Sequence, residues 1–188
     1  MPRILIGLAM LVLVAAAAEA QMTDGWQSGG TGRGSARWEL SERQVVYRGG
    51  ADFGWAVKGD PIADGFVEVR FRPVEGRRDQ AGGVVWRWQD ANNYYIARAN
   101  ALENNVSLYY TENGSRKTLK YVDAPVAGGV WHTLRVEFDG ARIRVILDGV
   151  RLIEAEDRHS EGPGAVGLWT KADSVTLFDD FAYGAKAP

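Results

Sequence analysis

A stretch of thirty residues, from Ala81 to Tyr110, concentrates side chains that could bind a ligand rich in hydroxyl groups. Its sequence, AGGVVWRWQDANNYYIARANALENNVSLYY, holds two tryptophans, four tyrosines, two arginines and five asparagines. Sugar recognition uses such groups, because flat apolar faces lie beside fixed hydrogen-bond donors and acceptors. Residue alternation predicts three β-strands here, Gly82 to Gln89, Tyr94 to Asn100 and Val106 to Thr111.

Strand parity places the two arginines of this stretch where they could share one sheet surface. Arg87 lies on the same face as Val85. Arg98 lies on the same face as Tyr94 and Asn100. If those faces coincide on paired strands, two guanidinium groups and an amide form a surface that suits a carboxylate, a keto oxygen or vicinal hydroxyls. The alternative is that both arginines pair with nearby acids and complete a solvated sheet face.

The tryptophans divide into core candidates and platform candidates. Trp86 and Trp88 fall on the opposite face of their strand, which predicts that at least one packs in the core. Trp131 starts a strand, and Trp169 lies two residues before Lys171. Strand ends border a cleft, so these two tryptophans are candidates for a platform under a sugar ring. Packing in the core or at the rim is the alternative for each tryptophan. The predicted substrate-binding set is Arg87, Tyr94, Arg98, Asn100, Trp131, Trp169 and Lys171.

Carboxylates decide whether such a face could also cleave a glycosidic bond. Glycoside hydrolysis usually needs two carboxyl groups about 5 to 10 Å apart, one protonated and one ionised. No strand carries a Glu-x-Asp-x-x-Glu pattern that would place two acids on one face. The catalytic candidates are therefore the loop acids Asp90, Glu103 and Asp173, for which simple solvation is the alternative.

Asp179 and Asp180 are the candidates for a metal site. Parity places Asp179 with Leu177 and Phe181 on a side that is predicted to be buried. A buried acid needs either a hydrogen-bond donor or a hard cation such as Ca²⁺, and the sequence leaves both open. His132 and His159 have no cysteine or second histidine at ligand spacing, which argues against a zinc site.

The remaining chain shows short strands separated by glycine-rich turns. Phe66 to Pro73 alternates strictly, and Asp139-Gly140 and Asp148-Gly149 join three further strands into an antiparallel meander. Roughly a dozen strands and no helical period after the first twenty residues predict an all-β fold. Two packed sheets or a closed barrel satisfy this pattern, and the number of strands favours a sandwich of two sheets.

The N-terminal residues predict export. Arg3, the apolar run Ile4 to Ala18 and the small residues around Ala20 are typical of a secretory signal peptide over residues 1–20, cleaved before Gln21. Fifteen apolar residues are fewer than the ~20 of a membrane-spanning helix, which is the alternative. Residues 21–37 are predicted to form a flexible lead-in, and residues 38–188 a single β-sandwich domain in the periplasm or the medium.

The composition of the chain argues against some classes of binding partner. The formal net charge is −2 and the charges are interspersed, which argues against nucleic acid and against an anionic membrane surface. The chain has no cysteine, so packing rather than disulfides must stabilise an exported domain. The oligomeric state has no signature in the sequence.

The order of several motifs resembles a known family. The stretch from Ala81 to Tyr110 is followed by GGVWHTLRVEFDG, LDGVRLIEA and GAVGLWTKADSVTLFDDF. This order is similar to the concanavalin A-like lectin/glucanase superfamily, and within it to the bacterial 3-keto-disaccharide hydrolase domain family. The likeness covers about Gly65 to Tyr183.

The resemblance implies a jelly-roll sandwich of two curved antiparallel sheets, with carbohydrate on the concave side and, in many relatives, calcium at the rim. It also implies activity on glycosidic bonds of oxidised sugars. Residues Asn93–Arg98 stand where that family often has a Gly-Tyr-Glu-Ile-Gln type segment, so no catalytic carboxylate is carried over. Three functions follow: a 3-keto-glycoside hydrolase, a non-catalytic lectin-like module, or an envelope protein without a ligand.

Overall fold

The computed structural model describes residues 21–23, 25–41 and 44–186, so the predicted signal peptide lies outside the described residues. Within them, no helix is long and apolar enough to cross a membrane. The described residues form fifteen strands: β1 Gln21–Thr23, β2 Trp26–Gly34, β3 Trp38–Glu39, β4 Val45–Arg48, β5 Ala51–Ile62, β6 Gly65–Glu75, β7 Ala81–Asp90, β8 Asn93–Asn100, β9 Asn105–Glu112, β10 Ser115–Asp123, β11 His132–Asp139, β12 Arg142–Leu147, β13 Val150–Glu156, β14 Gly164–Lys171 and β15 Val175–Ala185.

The strands build two antiparallel sheets that pack face to face. The first sheet has the order β1-β2-β5-β14-β7-β8-β9-β10, and the second has the order β13-β12-β11-β6-β15-β4-β3. Strands that are distant in sequence lie side by side, as β14 does between β5 and β7. The predicted all-β jelly-roll sandwich is confirmed.

Alternating side chains of the second sheet supply much of the core. In β6 the side chains of Val67, Val69 and Phe71 are completely buried, while their neighbours are partly exposed. Val67 pairs with Val136 and Val69 with Leu134 on β11, which places these apolar side chains together on the inner face. Burial of such side chains stabilises each by about 1.5–3 kcal/mol relative to exposure. The predicted meander of β11, β12 and β13 is confirmed.

The stretch from Ala81 to Tyr110 forms the two hairpins β7–β8 and β8–β9, as predicted. Arg98 on β8 pairs with Gly83 on β7 and with Ser107 on β9, and Gly83 also pairs with Trp169 on β14. A Cβ atom at Gly83 would lie 2.5 Å from the carbonyl oxygen of Ala97. Glycine therefore keeps the sheet surface open between Trp169 and Arg98.

The prediction of a flexible lead-in over residues 21–37 is wrong. Residues Trp26–Gly34 form β2, which pairs with β5 inside the first sheet. The side chain of Trp26 is buried, and its ring lies 5.0 Å from the ring of Phe181. The glycines that suggested a loop have a packing role: a Cβ atom at Gly29 would lie 2.7 Å from the indole of Trp55.

Candidate functional site

The outer face of the first sheet is unusually apolar for a surface that does not contact the other sheet. It carries a cluster of buried side chains separate from the core between the sheets: Trp55, Val57, Val85, Tyr94, Ile96, Tyr109 and Trp169. Phe53 and Trp88 pack over its edges. The side chains of this cluster are at most 4% exposed, so other groups of the same face must cover them.

Arg116 covers this face and shows that it is concave. Arg116 lies on β10, five strands away from β5, so a flat sheet would separate the two strands by about 24 Å. Nevertheless, the Arg116 guanidinium carbon lies 4.8 Å from the ring centre of Phe53 on β5. The first sheet must therefore curve strongly towards its outer face, which confirms the curvature implied by the resemblance.

Arg98 is the centre of a polar cluster at one end of the concave face. Its side chain is 3% exposed, and Nη2 donates hydrogen bonds to Glu103 Oε2 at 2.7 Å and to the Tyr109 hydroxyl at 3.1 Å. The Nε and Nη1 groups of Arg98 are buried and have no hydrogen-bond partner in the described part of the chain. A buried donor left without an acceptor costs about 1–3 kcal/mol, so these two N–H groups favour an acceptor supplied from outside.

A second ion pair extends the cluster across three strands. Lys171 Nζ lies 3.0 Å from Asp79 Oδ1, and the Asn100 amide donates to the same oxygen at 2.8 Å. The side chains of Lys171 and Asp79 are 16% and 7% exposed. A charge-assisted network with this degree of burial holds its side chains in fixed positions.

The outer boundary of the cluster is aromatic. The Asn105 amide donates to Glu103 Oε2 at 2.9 Å and to the Tyr121 hydroxyl at 2.7 Å. Tyr121 is 52% exposed, which leaves part of its ring accessible beside the polar groups. We call the side chains of Asp79, Arg98, Asn100, Glu103, Asn105, Tyr109, Tyr121 and Lys171 the Arg98 cluster.

The electrostatics of the cluster keep Glu103 ionised. Burial alone would raise the pKa of Glu103, but hydrogen bonds from Asn105 and Arg98 and the nearby charge of Lys171 hold that pKa below its usual value. Glu103 is thus a charged acceptor, and it is unsuited to be the protonated acid that glycoside hydrolysis needs.

Five of the seven predicted binding residues lie on the concave face. Arg98, Asn100 and Lys171 belong to the Arg98 cluster. Trp169 is completely buried beneath Arg116, with 5.7 Å between its ring centre and the guanidinium carbon. Tyr94 lies further along β8, where its hydroxyl is 2.8 Å from that of Thr31. No substrate contact is established for any of them, so their binding role stays a prediction.

Arg87 does not share that face, and the parity argument for it is wrong. Arg87 has a φ of 48° at a β-bulge in β7, and its register with β8 shifts there. The guanidinium points to the opposite end of the sandwich, where it donates to the carbonyl oxygens of Ala63, Gly140 and Ser160 and to Asp64. This matches the alternative in which the arginine pairs with an acid.

The same bulge separates the two neighbouring tryptophans. Trp86 is completely buried between the sheets and stacks on Tyr95 at 5.3 Å, as the core prediction requires. Trp88 instead reaches the concave face, where its ring lies 5.1 Å from that of Trp55. The prediction that both tryptophans share one face is therefore wrong.

Trp131 lies on the outer face of the second sheet, far from the Arg98 cluster in the fold. The guanidinium carbons of Arg70 and Arg72 on β6 lie 5.1 and 5.9 Å from its ring centre. Since Val69 and Phe71 point inward, Arg70 and Arg72 point outward, and Trp131 with them. The structure does not bring Trp131 to the other predicted binding residues.

Two of the three catalytic candidates stabilise turns. Asp90 accepts hydrogen bonds from the Asn92 backbone and the Asn93 amide in the β7–β8 turn. Asp173 accepts from the backbone N–H groups of Arg77, Arg78 and Asp79. Only Glu103 lies in the Arg98 cluster.

Asp179 and Asp180 do not fit a calcium site. The predicted parity of β15 is wrong, because Thr176 and Phe178 are buried while Leu177 and Asp179 are partly exposed and Asp180 is exposed. Asp180 Oδ2 accepts a hydrogen bond from Arg70 Nη1 at 3.0 Å. Ca²⁺ needs six to eight oxygen ligands, and the described residues contain no group of three or more acidic or histidine side chains arranged for a metal.

Sequence reasoning did not single out four members of the Arg98 cluster, Asp79, Asn105, Tyr109 and Tyr121. Asp79 comes from the loop before β7, and Tyr121 and Arg116 come from the edge strand β10. Asn105 and Tyr109 lie within the stretch from Ala81 to Tyr110. They lie an even number of positions apart along β9, so they share one face of the sheet, and this parity could have indicated them.

A family model described as 3-keto-alpha-glucoside-1,2-lyase-like domain matches residues 18–181. Among curated proteins, the chain is similar to levanase from Bacillus subtilis, with 28% identity over 108 residues. That match covers 56% of this chain and 16% of the levanase, so it spans only a small part of the enzyme.

Solved structures share the fold. The carbohydrate binding module CBM66 from Bacillus subtilis superposes with a TM-score of 0.72 and 23% identity, over 85% of this chain and 94% of the module. A β-glucanase from Bacillus licheniformis gives a TM-score of 0.63 and 15% identity, over 90% of this chain and 96% of the enzyme. At these identities the likeness is one of fold.

Proposed function

The chain belongs to the 3-keto-alpha-glucoside-1,2-lyase-like domain family, and we propose that it binds a saccharide at the Arg98 cluster. The buried guanidinium of Arg98 carries this proposal, since its Nε and Nη1 groups lack a partner in the described residues. Hydroxyl or carbonyl oxygens of a sugar would satisfy the two donors with one oxygen each, because Nε–H and Nη1 lie on different edges of the guanidinium plane.

The surroundings of Arg98 support a saccharide over a purely apolar ligand. Glu103 offers carboxylate oxygens, Lys171 offers an ammonium group and Asn105 offers an amide, which together can accept from and donate to hydroxyl groups. The half-exposed ring of Tyr121 is a flat platform at the boundary of these polar groups. The similarity to a levanase and to a carbohydrate binding module agrees with this class of ligand.

Glycan-array screening followed by titration calorimetry tests the proposal. Tyr121→Ala and Glu103→Gln change accessible groups of the cluster, and we expect each to weaken binding at least tenfold. Arg151→Gln is the matched control, since Arg151 is exposed on the second sheet and pairs only with Glu154 within the described residues. The proposal would be refuted if the wild-type protein bound no saccharide, or if the two variants bound it as tightly as the Arg151→Gln control.

Catalysis on 3-keto-glycosides is the second candidate function, which the family description favours. The family description indicates elimination across two adjacent carbons. A base removes the proton beside the ketone, cations stabilise the developing oxyanion, and the glycosidic C–O bond then breaks as the leaving oxygen takes a proton from solvent. Glu103 is a carboxylate between two cations, Arg98 and Lys171, which is the required combination.

Turnover of a 3-keto-glucoside separates the two functions. If the protein is a catalyst, Glu103→Gln lowers kcat by at least a hundredfold while the circular dichroism spectrum stays that of the wild type. If the wild-type protein binds the compound and releases no product, the non-catalytic alternative stands.

A further inference from the structure

Arg116 has no ion-pair partner in the described part of the chain, unlike the other two cations beside the concave face. Arg98 pairs with Glu103 at 2.7 Å and Lys171 pairs with Asp79 at 3.0 Å. The two carboxylates, Glu103 and Asp79, balance the charges of Arg98 and Lys171. The positive charge of Arg116 therefore has no counter-charge in an ion pair among the described residues. Burial lowers the pKa of Arg116, yet a guanidinium stays protonated in a protein.

Aromatic rings hold Arg116 in place without neutralising it. Its guanidinium carbon lies 4.3 Å from the ring centre of Tyr109, 4.8 Å from Phe53 and 5.7 Å from Trp169. Cation–π contacts attract a cation to the ring faces, but they supply no hydrogen-bond acceptor. Accordingly, Nη1 of Arg116 is buried without a hydrogen-bond partner among the described residues.

Arg116 and Arg98 contact the same tyrosine. Arg98 donates to the Tyr109 hydroxyl at 3.1 Å, while Arg116 lies over the Tyr109 ring. The unsatisfied groups of the two arginines are three nitrogen donors, Arg98 Nε, Arg98 Nη1 and Arg116 Nη1. A group that only accepts hydrogen bonds and carries negative charge would complement both the donors and the leftover charge.

We propose that the saccharide bound at the Arg98 cluster is acidic, and that Arg116 and Arg98 recognise the carboxylate of a uronic acid residue above Tyr109. The inference rests on the proposed saccharide-binding function and specifies its ligand class. Arg116 lies on the edge strand β10, at the open side of the groove.

Paired ligands that differ only in charge test the inference. Titration calorimetry compares oligogalacturonate with its methyl ester and alginate oligomers with their carboxyl-reduced forms. We expect the acid of at least one pair to bind at least tenfold more tightly than its neutral match. Arg116→Gln reduces that ratio to about one, Arg116→Lys retains part of it, and the Arg151→Gln control retains all of it.

Three outcomes would overturn the inference in distinguishable ways. Equal affinity for acid and neutral forms removes the acidic ligand and leaves saccharide binding intact. A preference for dextran sulfate over dextran, without any preference for uronates, replaces the carboxylate by a sulfate ester. Binding of no saccharide by folded wild-type protein removes the proposed function together with the inference.

Discussion

At the scale of single residues, two carboxylates organise the Arg98 cluster through one oxygen each. Glu103 accepts from Arg98 and Asn105 at Oε2, and Asp79 accepts from Lys171 and Asn100 at Oδ1. Each acid thereby orients one cation and one amide from different strands. The loss of one acid is therefore expected to release two neighbours, and the effects of such substitutions should not be additive.

Asp173 gives a residue-scale prediction for stability. Burial alone would raise its pKa, but the backbone N–H groups of Arg77, Arg78 and Asp79 hold that pKa below its usual value. A carboxyl with a lowered folded-state pKa stabilises the fold above its unfolded pKa, and this stabilisation is lost as the pH falls through the folded pKa. Asp173→Asn should lower the free energy of unfolding at pH 7 by about 1–2 kcal/mol.

Urea denaturation at pH 7 and below about pH 4 measures this effect. The wild-type protein loses more stability on acidification than Asp173→Asn does, because only the wild type has this carboxylate to protonate. Asp60→Asn, at an exposed position on β5, is the control. An Asp173→Asn protein with the pH dependence of the wild type would contradict the structural role of this carboxylate.

Residue types and strand parity indicate only part of the cluster. Arg98 and Asn100 are predicted because they share strand parity, and Lys171 because it ends a strand. Asp79 and Tyr121 cannot be predicted in this way, since they come from a loop and an edge strand that reach Asn100 and Asn105 only in the folded sheet. Sequence patterns indicate which face a side chain occupies, and they do not indicate which loops close over that face.

At the scale of elements, two β-bulges changed the outcome of the parity argument. Arg87 and Asp180 both have positive φ, near 49°, and each marks a register shift in its strand. A bulge inserts one residue and moves every later side chain to the opposite face. Neither bulge contains a glycine that would have signalled it, so alternation alone predicted the wrong face for Trp88.

The bulge in β7 leads to a prediction at this scale. Arg87 is 2% exposed and joins the loops at Asp64, Gly140 and Ser160 through its guanidinium. Arg87→Ala removes a buried side chain and the four hydrogen bonds that its guanidinium donates to these loops, so we expect the free energy of unfolding to fall by about 3 kcal/mol or more. Urea denaturation monitored by tryptophan fluorescence measures the loss.

Arg158→Ala is the matched control, because Arg158 forms an exposed ion pair with Glu161. Exposed pairs contribute about 0–1 kcal/mol, so this variant should stay close to the wild type. Equal destabilisation by both variants would mean that Arg87 does not fasten these loops together.

At the scale of the whole molecule, curvature of the first sheet turns an ordinary sandwich face into a concave groove. The contact between Arg116 on β10 and Phe53 on β5 requires the sheet to bend over the strands between them. No local pattern predicts this bend, because it results from twist accumulated over many strands. The resemblance to a family with curved sheets was the only sign of it in the sequence.

Metal dependence is a prediction for the whole molecule. Asp180 already pairs with Arg70, so we expect no calcium site at Asp179 and Asp180. Thermal unfolding with and without a chelator should give the same midpoint, since an ion bound only by the folded state raises that midpoint. A lower midpoint of thermal unfolding in the presence of chelator would contradict this prediction and would support the bound calcium that the resemblance implies.

The central claim is that a saccharide binds at the Arg98 cluster, and NMR titration tests it most directly. A saccharide selected on the glycan array is added to ¹⁵N-labelled protein while backbone, asparagine amide and arginine Nε–H signals are followed. We predict the largest shifts at Arg98 Nε–H, the side-chain amides of Asn100 and Asn105, and the backbone of Tyr121. Shifts confined to the outer face of the second sheet, around Trp131, would contradict the claim.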